Sequence, residues 1–116
     1  MEITQSEKNN VAILSLKGKL DLANAARLKD MVKGILAEGK LKVHLNMDDV
    51  DFINSSGLGA LVSVMKEIRL RKGRLTLSDL APYVKEIFEI TQLSHVFEIF
   101  ETVEGALSSY QSTVSV

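Results

Sequence analysis

After an N-terminal hairpin, short apolar runs that suit strands alternate with longer runs whose apolar residues recur at helical spacing. That alternation restricts the chain more than any other feature. Ile3–Glu7 and Val11–Lys17 read as strands either side of Lys8-Asn9-Asn10, a polar turn of the kind that closes a hairpin. In the second strand Val11 and Ile13 alternate with Ala12, Leu14 and Leu16, so both faces are expected to be covered. Gly18 ends it, and Asp21 stands at the N-cap position of a helix carrying Ala25, Leu28, Met31, Val32, Ile35 and Leu36, with Gly39 as the stop. Leu41–Met47 is a third strand with Val43, Leu45 and Met47 on one face, followed by a turn at Asp48-Asp49. A second helix runs from about Ser56 to Lys72, with Leu58, Leu61, Val62, Met65 and Ile68 on one side. Arg74–Ser78 is a strand, Pro82 opens a third helix with Val84, Ile87 and Phe88, and Phe97–Glu101 is a last strand. Thr102 caps a terminal helix with Val103, Ala106, Leu107 and Tyr110, and residues from about 110 to 116 are expected to fray.

The order ββαβαβαβα implies an α/β fold built from βαβ crossovers. The expected sheet is mixed but mostly parallel, with four to five strands, about four helices and one antiparallel hairpin at its start. At 116 residues the chain suits one domain, 1–116, large enough to bury a core without staples. The absence of cysteine removes disulfides, thiolate metal sites and cysteine nucleophiles. A net charge of −1 supplies no field that would draw the domain to nucleic acid or an anionic membrane, so a protein partner or small ligand fits better. No apolar run is long enough to span a bilayer, and the opening MEITQSEKNN lacks a basic stretch followed by an apolar one, so a cytoplasmic location is expected.

Between the third strand and second helix lies DFINSSGLG, Asp51 to Gly59, which masses Asn54, Ser55, Ser56, Gly57 and Gly59 at one turn. Ser55 is positioned as the N-cap of the helix. A cap needs only one hydroxyl, however, and each glycine in a first turn costs about 1 kcal/mol of helix propensity relative to alanine. Glycines there suggest close approach to the backbone by a neighbouring strand or by a partner, and the residues alone leave both open. A hydrolase elbow would need G-x-S-x-G, whose leading glycine is missing, and the only candidate bases are His44, mid-strand, and His95, in a polar turn. A phosphate cradle lacks its lysine and its full glycine pattern. Asp48, Asp49 and Asp51 read as a solvated turn in preference to a metal site, and no cofactor is expected. The run KEIRLRKGR places Lys66, Arg69, Arg71, Lys72 and Arg74 near the end of the second helix, where cations complement the helix dipole and could orient an acidic partner. The remaining possibility is that a serine here accepts a phosphoryl group, whose charge the helix N-terminus can accommodate.

FINSSGLGALV after a buried strand, with LKGKLDLANAARLK upstream, resembles the STAS domain of anti-sigma factor antagonists. The similarity runs through nearly the entire chain in element order, and S-S-G-L-G at the start of the second helix is its most specific part. The resemblance implies a non-enzymatic regulator of transcription, a bacterial phosphoprotein that switches partners in signal transduction. The unmodified antagonist would bind an anti-sigma factor with serine kinase activity and free the sigma factor; phosphorylation would end that binding, and a PP2C-type serine phosphatase would restore it. Carried onto this chain, the acceptor is Ser55, and Asp21, Asn54, Ser56, Gly57, Leu58 and Gly59 form the partner-binding surface. Direct nucleic-acid binding and membrane insertion are not implied. Many switching members have aspartate immediately before the acceptor; here it is Asn54, which removes repulsion toward phosphoserine together with a charge that a kinase can read. STAS domains also serve as unmodified adaptors or scaffolds in transport and signalling complexes.

Overall fold

Asn9 and Asn10 both take the left-handed conformation, φ 55° and 66°, which shapes a two-residue turn matched to the twist of the strands it joins. Those strands are β1 (Glu2–Lys8) and β2 (Val11–Leu20), paired antiparallel from Glu2↔Lys17 to Lys8↔Val11. The chain then alternates through α1 (Leu22–Ala37), β3 (Lys42–Ile53), α2 (Ser55–Leu70), β4 (Arg74–Ser78), α3 (Pro82–Ile90), a 3-10 turn at Leu93–His95, β5 (Glu98–Phe100) and α4 (Val103–Gln111). This computed structural model describes residues 1–111. The five strands lie in sequence order in one mixed sheet, parallel from β2 to β5.

Because the strands advance one place at a time with right-handed crossovers, α1, α2 and α3 fall on one face of the sheet. Leu28, Val32, Leu61, Val64, Ile68, Val84 and Phe88 from those helices bury Leu14, Leu16, Leu45 and Leu77 from the strands in one core. The opposite face carries the alternate residues of the same strands and, among the described residues, is covered by α4, where Leu107 and Tyr110 pack on Val11 and Ile13.

Three expectations about local structure need correction. Gly18 does not end β2: with φ 109° it pairs with Val50, and the strand runs on to Leu20. The turn expected at Asp48-Asp49 is strand: β3 runs on to Ile53, paired with β2 through Lys17↔Asp49, Gly18↔Val50 and Leu20↔Ile53. Register shifts between Ser15 and Lys17 and between Gly18 and Lys19 bend this extension, so Val50 and Ile53 still reach the core while Asp48, Asp49 and Asp51 stay in solvent. At the C-terminus, Ser108–Gln111 are helical and Tyr110 is buried, although fraying was expected from about 110; residues 112–116 lie outside the described residues. The long β2–β3 pair fixes where the two candidate loops sit, because Leu20 and Ile53 are register partners and each is followed directly by a helix cap.

Candidate functional site

Asp21 and Asn54 are near-copies of one another in conformation. Asp21 has φ −129° and ψ −172° and accepts from the amide of Asn24 at 3.3 Å. Asn54 has φ −120° and ψ −174° and accepts from the amide of Gly57 at 3.0 Å. Both are N-caps whose side-chain oxygen satisfies an N–H of the first turn. The Asn54 amide itself donates to the Leu20 carbonyl, tying the start of α2 to the end of β2. The N-termini of α1 and α2 therefore stand side by side at the carboxyl ends of parallel strands, the end at which open α/β sheets present their sites.

Ser55 is consequently the first helical residue and not the cap, as its sequence position suggested, because the shorter reach from Asn54 Oδ1 to the Gly57 amide takes that role. The difference releases the Ser55 hydroxyl. Ser55 is exposed, Ser56 is half-buried, and their amides head a helix where no intrahelical acceptor exists. Leu58 is half-buried against the core and leaves part of its side chain at the surface.

The two glycines separate cleanly. A Cβ on Gly57 would collide with the Leu20 carbonyl oxygen and crowd Ile53, so this glycine lets α2 lie close against β2. At Gly59 a Cβ would meet nothing within 4 Å, and the residue is exposed. Of the two explanations open at the sequence level, the neighbouring strand accounts for Gly57 and leaves Gly59 without a reason inside the fold.

Next to this turn, Leu22 is 74% exposed as the first residue of α1. The sequence reading did not single it out, and its identity gives no signal that separates it from the core leucines of the same helix. Asn24 Nδ2 donates to the Lys19 carbonyl at 2.8 Å and to Asp21 Oδ1 at 3.2 Å, fixing the β2–α1 corner that carries Leu22. The Lys19 ammonium sits 5.9 Å from the Phe52 ring centroid across the β2–β3 pair. The edge as a whole is small and polar at Ser55–Gly59, with one acid at Asp21 and one exposed leucine.

Neither histidine is placed to activate Ser55. His44 is fully buried on the α4 side of the sheet, its Nδ1 2.7 Å from Thr76 Oγ1 and its Nε2 2.7 Å from Ser78 Oγ. Ser78 must donate to the Asp79 carboxylate, 2.7 Å away, so it accepts from Nε2–H, and Nδ1 accepts from Thr76. Tyr110 closes the network through its hydroxyl, 3.0 Å from Thr76 Oγ1 and 2.9 Å from the Val43 carbonyl. Burial lowers the His44 pKa to about 4, against a smaller opposing pull from Asp79. His95 lies in the 3-10 turn that leads into the amino end of β5, the opposite end of the parallel strands. Among the described residues no group of three or more histidine, aspartate or glutamate side chains is arranged to hold a metal ion.

Residues 2–106 match the model of the STAS domain family. A Listeria monocytogenes protein named Anti-sigma-B factor antagonist is 28% identical over 108 residues, covering 93% of each chain. The crystal structure of TM1081 from Thermotoga maritima has the same fold with a TM-score of 0.87 at 27% identity over 92% of both chains. SpoIIAA, a Bacillus cell fate determinant solved in its phosphorylated form, matches with a TM-score of 0.73 over 94% of this chain and 99% of its own; at 20% identity the likeness is one of fold.

Proposed function

The chain belongs to the STAS domain family, and from that premise we propose that it is an anti-sigma factor antagonist whose hold on its partner is set by phosphorylation of Ser55. The observation that carries this is the exposed Ser55 hydroxyl at the first position of α2, beside Gly59, whose missing side chain serves no packing purpose. The unmodified turn offers an uncharged surface made of Asn54, Ser55, Ser56, Leu58 and Gly59, with Asp21 on the adjoining cap. An anti-sigma factor with serine kinase activity would dock there in the cytoplasm; among the described residues no helix is long and apolar enough to cross a membrane.

In the transfer step the Ser55 oxygen forms a bond to the γ-phosphorus of ATP held by the partner, the bond to ADP breaks, and the hydroxyl proton passes to a base of the partner. The product carries about −1.5 to −2 charges, which the open amides and dipole of α2 tolerate. The partner does not tolerate it, since a dianion now occupies a neutral contact beside Asp21. Repulsion and desolvation worth about 2.7 kcal/mol weaken binding about 100-fold. A PP2C-type phosphatase returns the serine by hydrolysis. The chain acts as substrate and ligand in this cycle, and the catalytic groups belong to its partners.

Incubation with ATP and the cognate kinase is expected to add one phosphate, which peptide mass spectrometry locates at Ser55. Ser55→Asp should weaken partner binding about 100-fold while Ser55→Ala retains it, with both variants melting as the unmodified chain does. Absence of phosphate from Ser55, under conditions where the kinase modifies its usual substrate, removes the basis of the switch. A second reading, a constitutive adaptor using the same surface, is favoured by Asn54, which caps α2 without the aspartate many switching members carry. Equal retention of partners by Ser55→Asp and Ser55→Ala would select it.

A further inference from the structure

The far end of α2 combines exposed apolar surface with cations that make no close ion pair, although Glu98 feels the charge of Arg69. Leu70 is 80% exposed, and with Met65, Lys66 and Arg69 it lines an open depression of about 420 Å³. Arg69 Nη2 donates to the Val96 carbonyl at 2.8 Å, which ties the 3-10 turn and Val96, itself 37% exposed, to one of the residues that line the depression. Of the five cations in this run, Arg74 is held by Glu98 in a two-point pair at 2.7 and 2.9 Å, and Arg71 lies 4.0 Å from Glu67. Among the described residues Lys66, Arg69 and Lys72 have no carboxylate within ion-pair distance. In a chain of net charge −1 this concentration is local. A helix dipole accounts for cations in a last turn, but it gives no reason for a solvated leucine among them.

We propose that the C-terminal end of α2 is a second docking surface, for an acidic amphipathic segment of a partner protein. Apolar side chains of that segment fill the depression between Met65 and Leu70, against Val96, while its carboxylates meet Lys66, Arg69 and Lys72. Charge complementarity selects an acidic occupant, and the apolar floor selects one that also carries leucine-like side chains, which a nucleic-acid backbone lacks. Along α2, Lys66 and Leu70 lie 11 and 15 residues beyond Ser55, about 16 and 22 Å at the helical rise, two or more screening lengths of roughly 8 Å at physiological salt. The contact therefore persists whichever state Ser55 is in, so a partner can hold the domain through a full cycle of modification. It does not depend on Ser55 being modified at all.

The test is titration of the isotope-labelled full chain, followed by amide chemical shifts, with a 16-residue helical peptide bearing glutamates on one face and three leucines on the other. Shifts are expected at residues 65–72 and 93–96. Leu70→Asp and the pair Lys66→Glu, Lys72→Glu should each weaken binding at least tenfold, and because these residues are exposed the spectra should otherwise be unchanged. Ser55→Asp should alter the affinity less than twofold. Equal binding of a glutamate–glycine peptide of the same charge, or stronger binding of a 20-nucleotide thymidine oligomer or of vesicles containing phosphatidylserine, would overturn the proposal. Shifts confined to residues outside the patch, no binding, or loss of binding in Ser55→Asp would overturn it as well.

Discussion

Strand β3 carries a polar cluster at each end, and the two are built on opposite terms. Around His44 every polar atom has an internal partner, and His44, Thr76 and Ser78 are each 0% exposed. Around Asn54 one side chain caps the helix while Ser55 and Gly59 face solvent. A sealed polar cluster in a low-dielectric interior is costly to disturb, because any group left alone keeps its full desolvation penalty. An open one can change charge at little cost to the fold. Each cluster has two serine or threonine side chains, Thr76 and Ser78 in one and Ser55 and Ser56 in the other, so hydroxyl chemistry does not distinguish them; enclosure does.

The sharpest way to break this contrast is to remove the centre of the sealed cluster. His44→Ala is expected to lower unfolding stability by about 3 kcal/mol, from the void and from hydroxyls of Thr76 and Ser78 that lose a partner. Urea denaturation measures it, and partner binding at Ser55 should be unaffected. If binding falls while stability does not, the two clusters have been assigned the wrong way round.

Acid should have the next largest effect. His44 has a folded pKa of about 4, below the ordinary value near 6.5, so between those values the unfolded chain binds more protons than the folded one. Stability contributed by neutral His44 is thus complete above pH 6.5 and is lost as pH falls through 4, about 3 kcal/mol in all. Protonation would also give Nδ1 a hydrogen where Thr76 now donates. Denaturation midpoints measured from pH 7 to 4 should show this slope, and His44→Gln should flatten it.

The smallest expected effect sharpens the comparison inside the open cluster. Gly57→Ala, which collides with the Leu20 carbonyl, should destabilise by about 1 to 3 kcal/mol. Gly59→Ala meets open space and should be neutral or stabilising by up to about 1 kcal/mol while weakening the partner. Thermal melts alongside binding to the anti-sigma factor separate the two glycines.

Much of the fold is legible because period and punctuation agree along the chain. The hairpin turn at Asn9-Asn10, the helix beginning after Asp21 and the stop at Gly39 each have local chemistry that states their role. Asp48-Asp49 misleads for the same reason. Two adjacent acids look like a turn, and only the long partner strand β2, with its bulges, keeps them extended. Asn54 and Ser55 are both good caps, so the sequence could not rank them, and the choice fell to which oxygen reaches the Gly57 amide.

What the sequence by itself determined is the order of elements, the apolar faces and the presence of a serine- and glycine-rich turn at the start of α2, because those depend on residues close in the chain. Only the tertiary structure decided what each polar or small residue is for. His44 meets Thr76 and Ser78 across 32 and 34 residues of chain, and Gly57 meets the end of β2. The exposed Leu70 and Leu22 differ from the core leucines in nothing but what the fold places over them. Contacts between residues far apart in sequence set burial, and burial sets the energetic meaning of each side chain.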